Sequence, residues 1–512
     1  MPAVEPSSPA PAARLLRFLH ALALAAVVVG VGLLFHDLDA NGSTADERSD
    51  FRIARDFVAQ GTIFENKEDP SQSRLPHIVA ALSMAAFGET LWAFKLPFAL
   101  ATLLAGALLF AFVRRRHGAL TALYCLAFFF TNPWVLGSGR TAATAGDMLL
   151  VVTSFAFLWA AIRVFGERGV RPPSLAATAW FGLTAGLAVG AKLISLVLLP
   201  AGLALVAVRR RSFAHVVAFG LVAAITSVAL HPLLVTHTRP TLGATFKAFG
   251  TTPFAMEGLG NVALPETPAA TTGSDVARRV VPFEPVEVED TPKLRYLAYL
   301  LVGKLTLPFL AVLGLGVALG LGAAWRDRRL DPAFWGALAF VTAPCVVLIW
   351  KYKQNAGYYL PLLIPAVTLA ALALDRGLRS PKPWRRTVVA AGWLAIVGYQ
   401  LWLDVGLAPD YLQAGRRLGI EAQGKMAGPA TNHCQGTPVL IDRLNQLRAR
   451  GEAFDVARVF DACMKVMLHD EAHGPAQRQG YRFGRYSPGM RPAGEHVFVV
   501  HDVLFVNAYG TP

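Results

Sequence analysis

The stretch 18-FLHALALAAVVVGVGLLFHDLDANGSTADERSD-50 joins an almost unbroken apolar run to a segment that crowds in Asp37, Asp39, Asp46, Glu47 and Asp50. An apolar run of roughly 20 residues is long enough to cross a bilayer as a helix. In lipid every backbone polar group must find its partner inside the segment, so helix is the physical reading. Arg14 and Arg17 precede the run, and no small-residue cleavage motif follows it. It reads as a retained anchor that delivers a group of carboxylates to the far side of a membrane.

The rest of the chain repeats this pattern. Hydrophobic residues make up 54% of 512 and charged residues 16%, too little charge for an ordinary soluble surface. The formal charge of +14 does not point to nucleic acid, because the arginines are spread along the chain and punctuate the hydrophobic runs. Arg114 to Arg116, then Arg163, Arg168 and Arg171, then Arg209 to Arg211 follow every second run. Arg326, Arg328 and Arg329, then Arg376, Arg379, Lys382, Arg385 and Arg386 continue the series. That alternation is what the positive-inside rule expects of cytoplasmic loops. It predicts spans near residues 15–35, 90–113, 118–137, 147–165, 174–191, 193–208, 213–235, 295–322, 333–350, 357–374 and 387–407, about eleven helices. The fold class is then an all-α polytopic membrane protein with its N-terminus inside and a long first external loop.

Two further segments fall outside the membrane in this reading, residues 236–294 and 408–512. The C-terminal segment mixes strand-like runs, 437-TPVLID-442 and 495-EHVFVVHDVLFVNAY-509, with a helical pattern over 441–468, and reads as a small external α/β domain appended to a membrane domain over 1–407. It holds Cys434 and Cys463, whose disulfide would stabilise by roughly 3 to 4 kcal/mol in the chain-entropy model. Cys125 and Cys345 fall within spans and read as core residues.

Several stretches in order resemble the polyprenyl-phosphate-sugar-dependent glycosyltransferases of the GT-C fold, the family of protein mannosyltransferases (glycosyltransferase family 39) and of aminoarabinose transferases. The acidic motif and helix of that family's first external loop resemble 46-DERSDFRIARDFVAQG-61. Its Pro-containing segment after the loop resembles 74-RLPHIVAALSMAAFG-88, and its second acidic motif 139-GRTAATAGDMLL-150. Its Lys-containing turn resembles 186-GLAVGAKLISLVLLP-200, and its late basic and Tyr-Leu-Pro motif 351-KYKQNAGYYLPLLIPA-366.

The resemblance implies a GT-C-like bundle in the bacterial inner membrane with its chemistry and its C-terminal domain on the periplasmic side. A sugar on a lipid phosphate, undecaprenyl phosphate being the expected carrier, is attacked at its anomeric carbon by an acceptor hydroxyl or amine. A base must take the acceptor proton, and cations must receive the charge building on the departing phosphate. By resemblance Asp46 is the base, Glu47 orients the acceptor and Asp147 is a second acid; a helix N-terminal carboxylate is the alternative reading of Asp147. Arg74, Arg140, Lys192, Lys351 and Lys353 are candidates for the donor phosphate, against the alternative of snorkelling anchors, and Tyr358 is an aromatic beside the site. Membrane lipids surround the protein, and the acceptor is a lipid, a glycan or a protein. A divalent cation between Asp37 and Asp39 is possible chemically, yet no further ligand is spaced to complete it, and no metal cofactor is expected. A transporter or flippase for an envelope lipid or glycan and a non-catalytic scaffold of the same fold are the rival readings.

Overall fold

Phe18 to Phe35, unbroken by proline and apolar but for His20, have no reason to leave a helix. In a computed structural model of the chain they belong to α1, Ala10–Phe35. The structure describes residues 10–36, 38, 45–61, 74–140, 147–165, 174–210, 212–232, 234, 306, 309–311, 314, 315, 318, 360, 363–407, 481–482, 496–500 and 503–510. After α1 come α2 Ala45–Gln60, α3 Leu75–Phe87, α4 Leu91–His117, α5 Ala119–Phe130, α6 Pro133–Arg140, α7 Asp147–Phe165, α8 Leu175–Ala191, a 3-10 turn at Leu193–Val197, α9 Leu198–Arg210, α10 Phe213–Leu230, α11 Leu363–Leu378 and α12 Pro383–Leu407. Among the described residues α1, α4, α10 and α12 contain stretches long and apolar enough to cross a membrane singly. The shorter apolar helices α3, α7, α8 and α9 accompany them. The chain is a multi-pass membrane protein.

The expected span at 118–137 is broken. Helices α5 and α6 meet at an angle of 65°. Pro133 has no N–H to offer α5 and its ring excludes a straight continuation, while at the first position of a new helix it costs nothing. Asn132 supplies the cap: its Oδ1 accepts from Trp134 N at 2.9 Å. Thr131 closes α5, its hydroxyl donating to Ala127 O at 2.8 Å. The Thr131 side chain also meets Gln400 on α12, its Oγ1 lying 2.9 Å from Gln400 Oε1. The expected straight span at 193–208 likewise begins as the 3-10 turn before α9. Spans 295–322 and 333–350 lie largely outside the described residues, and the helix expected at 357–374 is α11.

Two packing features set the geometry. Gly182, Gly186 and Gly190 form a one-sided stripe on α8, and α10 lies so close that a Cβ on each would meet Phe219 O, Thr226 Cβ and Leu230 Cδ1 at 2.5 Å. Small residues four apart let transmembrane helices approach backbone to backbone. Gly118, at φ +93, turns the end of α4 directly into α5, a conformation that a side chain would strain.

Ring contacts identify the two ends of the bundle. His20 meets Tyr124 and Tyr124 meets Trp393, centroids 5.9 and 5.5 Å apart, while Phe112 meets Phe155 at 5.5 Å. The first two contacts tie the first half of α1, the middle of α5 and the first half of α12 together, and the third ties the last third of α4 to the middle of α7. Arg114, Arg115, Arg379, Arg385 and Arg386 lie at that end. At the opposite end Leu34, Leu38, Leu96, Ala99, Leu136 and Leu403 form a separate apolar cluster. In the C-terminal segment the run 495–509 is a hairpin, β2 His496–Val500 against β3 Val503–Gly510, with β1 Tyr481–Arg482 on the other edge of β3.

Candidate functional site

Helix α2 opens with Asp46 and Glu47, as the resemblance places them. Its apolar residues recur at helical spacing, so Ile53 and Ala54 are buried, and Phe51, Phe57 and Val58 pack with Ala80, Ala81 and Met84 of α3 and Ala93, Phe94 and Phe98 of α4. The Phe51 and Phe94 rings meet edge to face at 5.3 Å. Leu149, two residues after Asp147, packs against this same cluster. The start of α7 and the helix that carries Asp46 therefore share one end of the bundle.

The structure brings two predicted residues into direct contact. Asp147 is the first residue of α7, and its Oδ1 receives an ion-paired hydrogen bond from Lys192 Nζ. Lys192 holds its place because α8 ends at Ala191 and the backbone at 192 is extended, φ −154 and ψ 129, before the 3-10 turn. Each residue is only 9% exposed. Burial at this depth strengthens the pairing and makes either charge alone costly. The carboxylate also sits at the positive end of the α7 dipole, which is the helix N-terminal reading of Asp147.

Arg74 precedes α3, which it introduces with Pro76 near its start, and is buried. Arg140 ends α6 with no exposure at all, and its Nη1 donates to Leu33 O at 2.7 Å and to His36 O. A guanidinium with several fixed donors suits the orphan carbonyls at a helix C-terminus. Arg140 therefore pins the end of α1 at the point where the acidic segment begins. Lys351, Lys353, Tyr358, Asp37, Asp39, Cys434 and Cys463 lie outside the described residues.

Other buried polar groups stand beyond those singled out from sequence. Lys95, in the first turn of α4, has no exposure and is engaged by a neighbour. It was visible as a lone cation inside the apolar run 91-LWAFKLPFAL-100. Asp50 on α2 accepts from His77 Nε2 on α3 at 2.8 Å, both residues 2% exposed or less. Asp404, near the end of α12, is fully buried with both carboxylate oxygens unpaired.

The sequence model of the dolichyl-phosphate-mannose-protein mannosyltransferase family matches residues 73–235, the segment from the start of α3 through α10. The structure is similar over 88% of this chain and 85% of the other to ArnT from Cupriavidus metallidurans bound to undecaprenyl phosphate, at 16% identity and a TM-score of 0.51. The fold is that of the GT-C glycosyltransferases. The apo form of the same ArnT matches at a TM-score of 0.48 and 16% identity over 88% of this chain and 84% of that one. The oligosaccharyltransferase AglB from Archaeoglobus fulgidus, in complex with an inhibitory peptide and a dolichol-phosphate, matches at 0.44 and 14% identity over 79% of this chain and 56% of that one. No curated protein matches this chain in sequence.

Proposed function

We propose that the chain is an integral-membrane glycosyltransferase that moves a sugar from a polyprenyl-phosphate donor to an acceptor hydroxyl or amine at the bundle end opposite the arginines, the periplasmic face of a bacterial inner membrane. The observation that carries this reading is the buried Asp147–Lys192 pair, seated on the same end as the helix of Asp46 and Glu47 within a GT-C fold. Asp46 takes the acceptor proton, Glu47 orients the acceptor, and the acceptor atom displaces the phosphate at the anomeric carbon in one step. As the bond to the phosphate breaks, the leaving oxygen gains negative charge, and Lys192 and Arg74 stabilise it. Asp147 holds the ammonium in place before the donor arrives, so little reorganisation is left for the moment of reaction. Lys351 and Lys353 complete the phosphate contacts and Tyr358 borders them. Arg140 acts on the end of α1 and supports the phosphate site from there. The base and the cations together supply what the displacement needs, so chelators are expected to leave turnover unchanged.

The test is release of free polyprenyl phosphate by the purified protein in lipid, from a panel of polyprenyl-phosphate sugars with envelope lipid extract as acceptor. Wild type turns over, and Asp46→Asn loses about 10²- to 10⁴-fold, the usual worth of a positioned base. Equal turnover by the variant sinks the assignment of the base. No turnover by folded wild type sinks the enzyme and turns attention to a transporter, which the bent α5–α6 pair would suit.

A further inference from the structure

The Asp50–His77 bond is buried and joins residues remote in sequence, and the proposed reaction does not use it. Apolar packing alone could hold α2 against α3 and α4, since Phe51, Ile53 and Ala54 already bury one face. A carboxylate placed in that seam is expensive unless it is bonded, and once bonded it allows one register of the two helices and not its neighbours. Its partner is well chosen. His77 stands in the first turn of α3, where the helix dipole favours an acceptor's negative charge, and Pro76 fixes the start of that turn. His77 Nε2–H donates to Asp50 Oδ1 at 2.8 Å, and the other ring nitrogen is buried without a partner. The pair therefore has one donor, one acceptor and one geometry.

Asp50 lies four residues, one helical turn, beyond Asp46. We propose that the Asp50–His77 bond is a latch that sets the register of α2 and thereby positions Asp46 for proton abstraction from the acceptor. Both latch members are positioning residues. The inference rests on the assignment of Asp46 as the base, and a displacement of that carboxylate by about 1 Å is enough to cost on the order of 10²-fold in rate. Donor binding is left in place, because Lys192 and Asp147 are held by α8 and α7 rather than by α2, and Arg74 is held at the start of α3, which packs on α4 through Ala80, Ala81 and Met84 whether or not the latch is closed. Loss of the latch therefore acts on turnover, with the donor KM unchanged.

The test compares wild type, His77→Phe, His77→Gln, Asp46→Asn and the His77→Phe/Asp46→Asn double variant in lipid nanodiscs, by amide hydrogen exchange over residues 45–60 and by turnover kinetics. His77→Phe keeps the volume and removes the donor, whereas His77→Gln keeps a donor. The latch predicts that His77→Phe speeds exchange in α2 and not in α8 or α10, lowers kcat by about 10-fold or more, and leaves the donor KM within about twofold. His77→Gln recovers much of both. Asp46→Asn loses turnover without speeding exchange, and adding His77→Phe to it costs nothing further. If exchange in α2 is unchanged by His77→Phe, there is no latch. If α2 loosens while kcat holds, or if His77→Phe and Asp46→Asn losses multiply, the bond does not act through Asp46 and the proposal falls. Full activity of Asp46→Asn sinks the assignment of the base, whatever α2 does. Should His77→Phe fail to fold, Asp50→Leu, which removes the acceptor, against Asp50→Asn, which keeps one, carries the same comparison.

Discussion

Asp147 and Lys192 show what a charge at the edge of a span requires. Neither is stable in its place without the other, so Lys192→Met is expected to destabilise by about 3 kcal/mol, because it strands a buried carboxylate. Adding Asp147→Asn removes that charge and restores most of the stability, though none of the turnover. Thermal unfolding in detergent of the two single variants and the double checks this, and additive losses would contradict it. Arg140→Ala takes the donors from Leu33 O and His36 O, and with them about 2 to 4 kcal/mol at the end of α1, read in the same unfolding experiment. Both Asp147 and Lys192 were legible in the sequence, since an ionisable residue beside an apolar run stands out on its own. Their pairing was not, because the two residues stand 45 apart in sequence, at the start of α7 and just past the end of α8, and only packing brings them together. The Asp50–His77 pair was hidden for a similar reason: each residue alone reads as an ordinary polar member of a loop or helix, and the bond crosses from one helix to another.

Among the helices, spacing and hydropathy located the elements well, and their interiors less so. The expected spans at 15–35, 90–113, 147–165, 174–191, 213–235 and 387–407 match α1, α4, α7, α8, α10 and α12 to within a few residues at most ends. The break at Thr131–Asn132–Pro133 was overlooked, although a capping residue followed by proline is the usual start of a helix. The α8–α10 contact carries the clearest prediction at this scale. Gly182→Ala places a methyl 2.5 Å from Phe219 O, a backbone atom that cannot swing aside, and should cost about 1 to 3 kcal/mol, whereas Gly186→Leu should prevent assembly of the bundle. Gly392→Ala on α12 meets open space and should be neutral or stabilise by up to about 1 kcal/mol. Unfolding midpoints in one detergent, measured side by side, decide between these.

Across the whole molecule, the arginines were the most informative residues in the sequence, because they encode direction along with position. Their gathering at one end of the bundle predicts how it sits in the membrane. A cysteine placed at the exposed Gln60, the last residue of α2, should react with a membrane-impermeant maleimide added to spheroplasts, and one at Lys382, between α11 and α12, only after permeabilisation. The reverse pattern would invert the molecule and move the proposed chemistry to the cytoplasm. What sequence could not provide at this scale was the joining of distant helices around the acidic segment. That segment leaves α1 where Arg140 grips the last carbonyls, and α2 is in turn fastened through Asp50 to His77. The end of α1 and the body of α2 are thus each moored by a different part of the chain, α6 in one case and α3 in the other. Because the two moorings are separate, what lies between them can be lengthened, shortened or rewritten while both helix ends stay put.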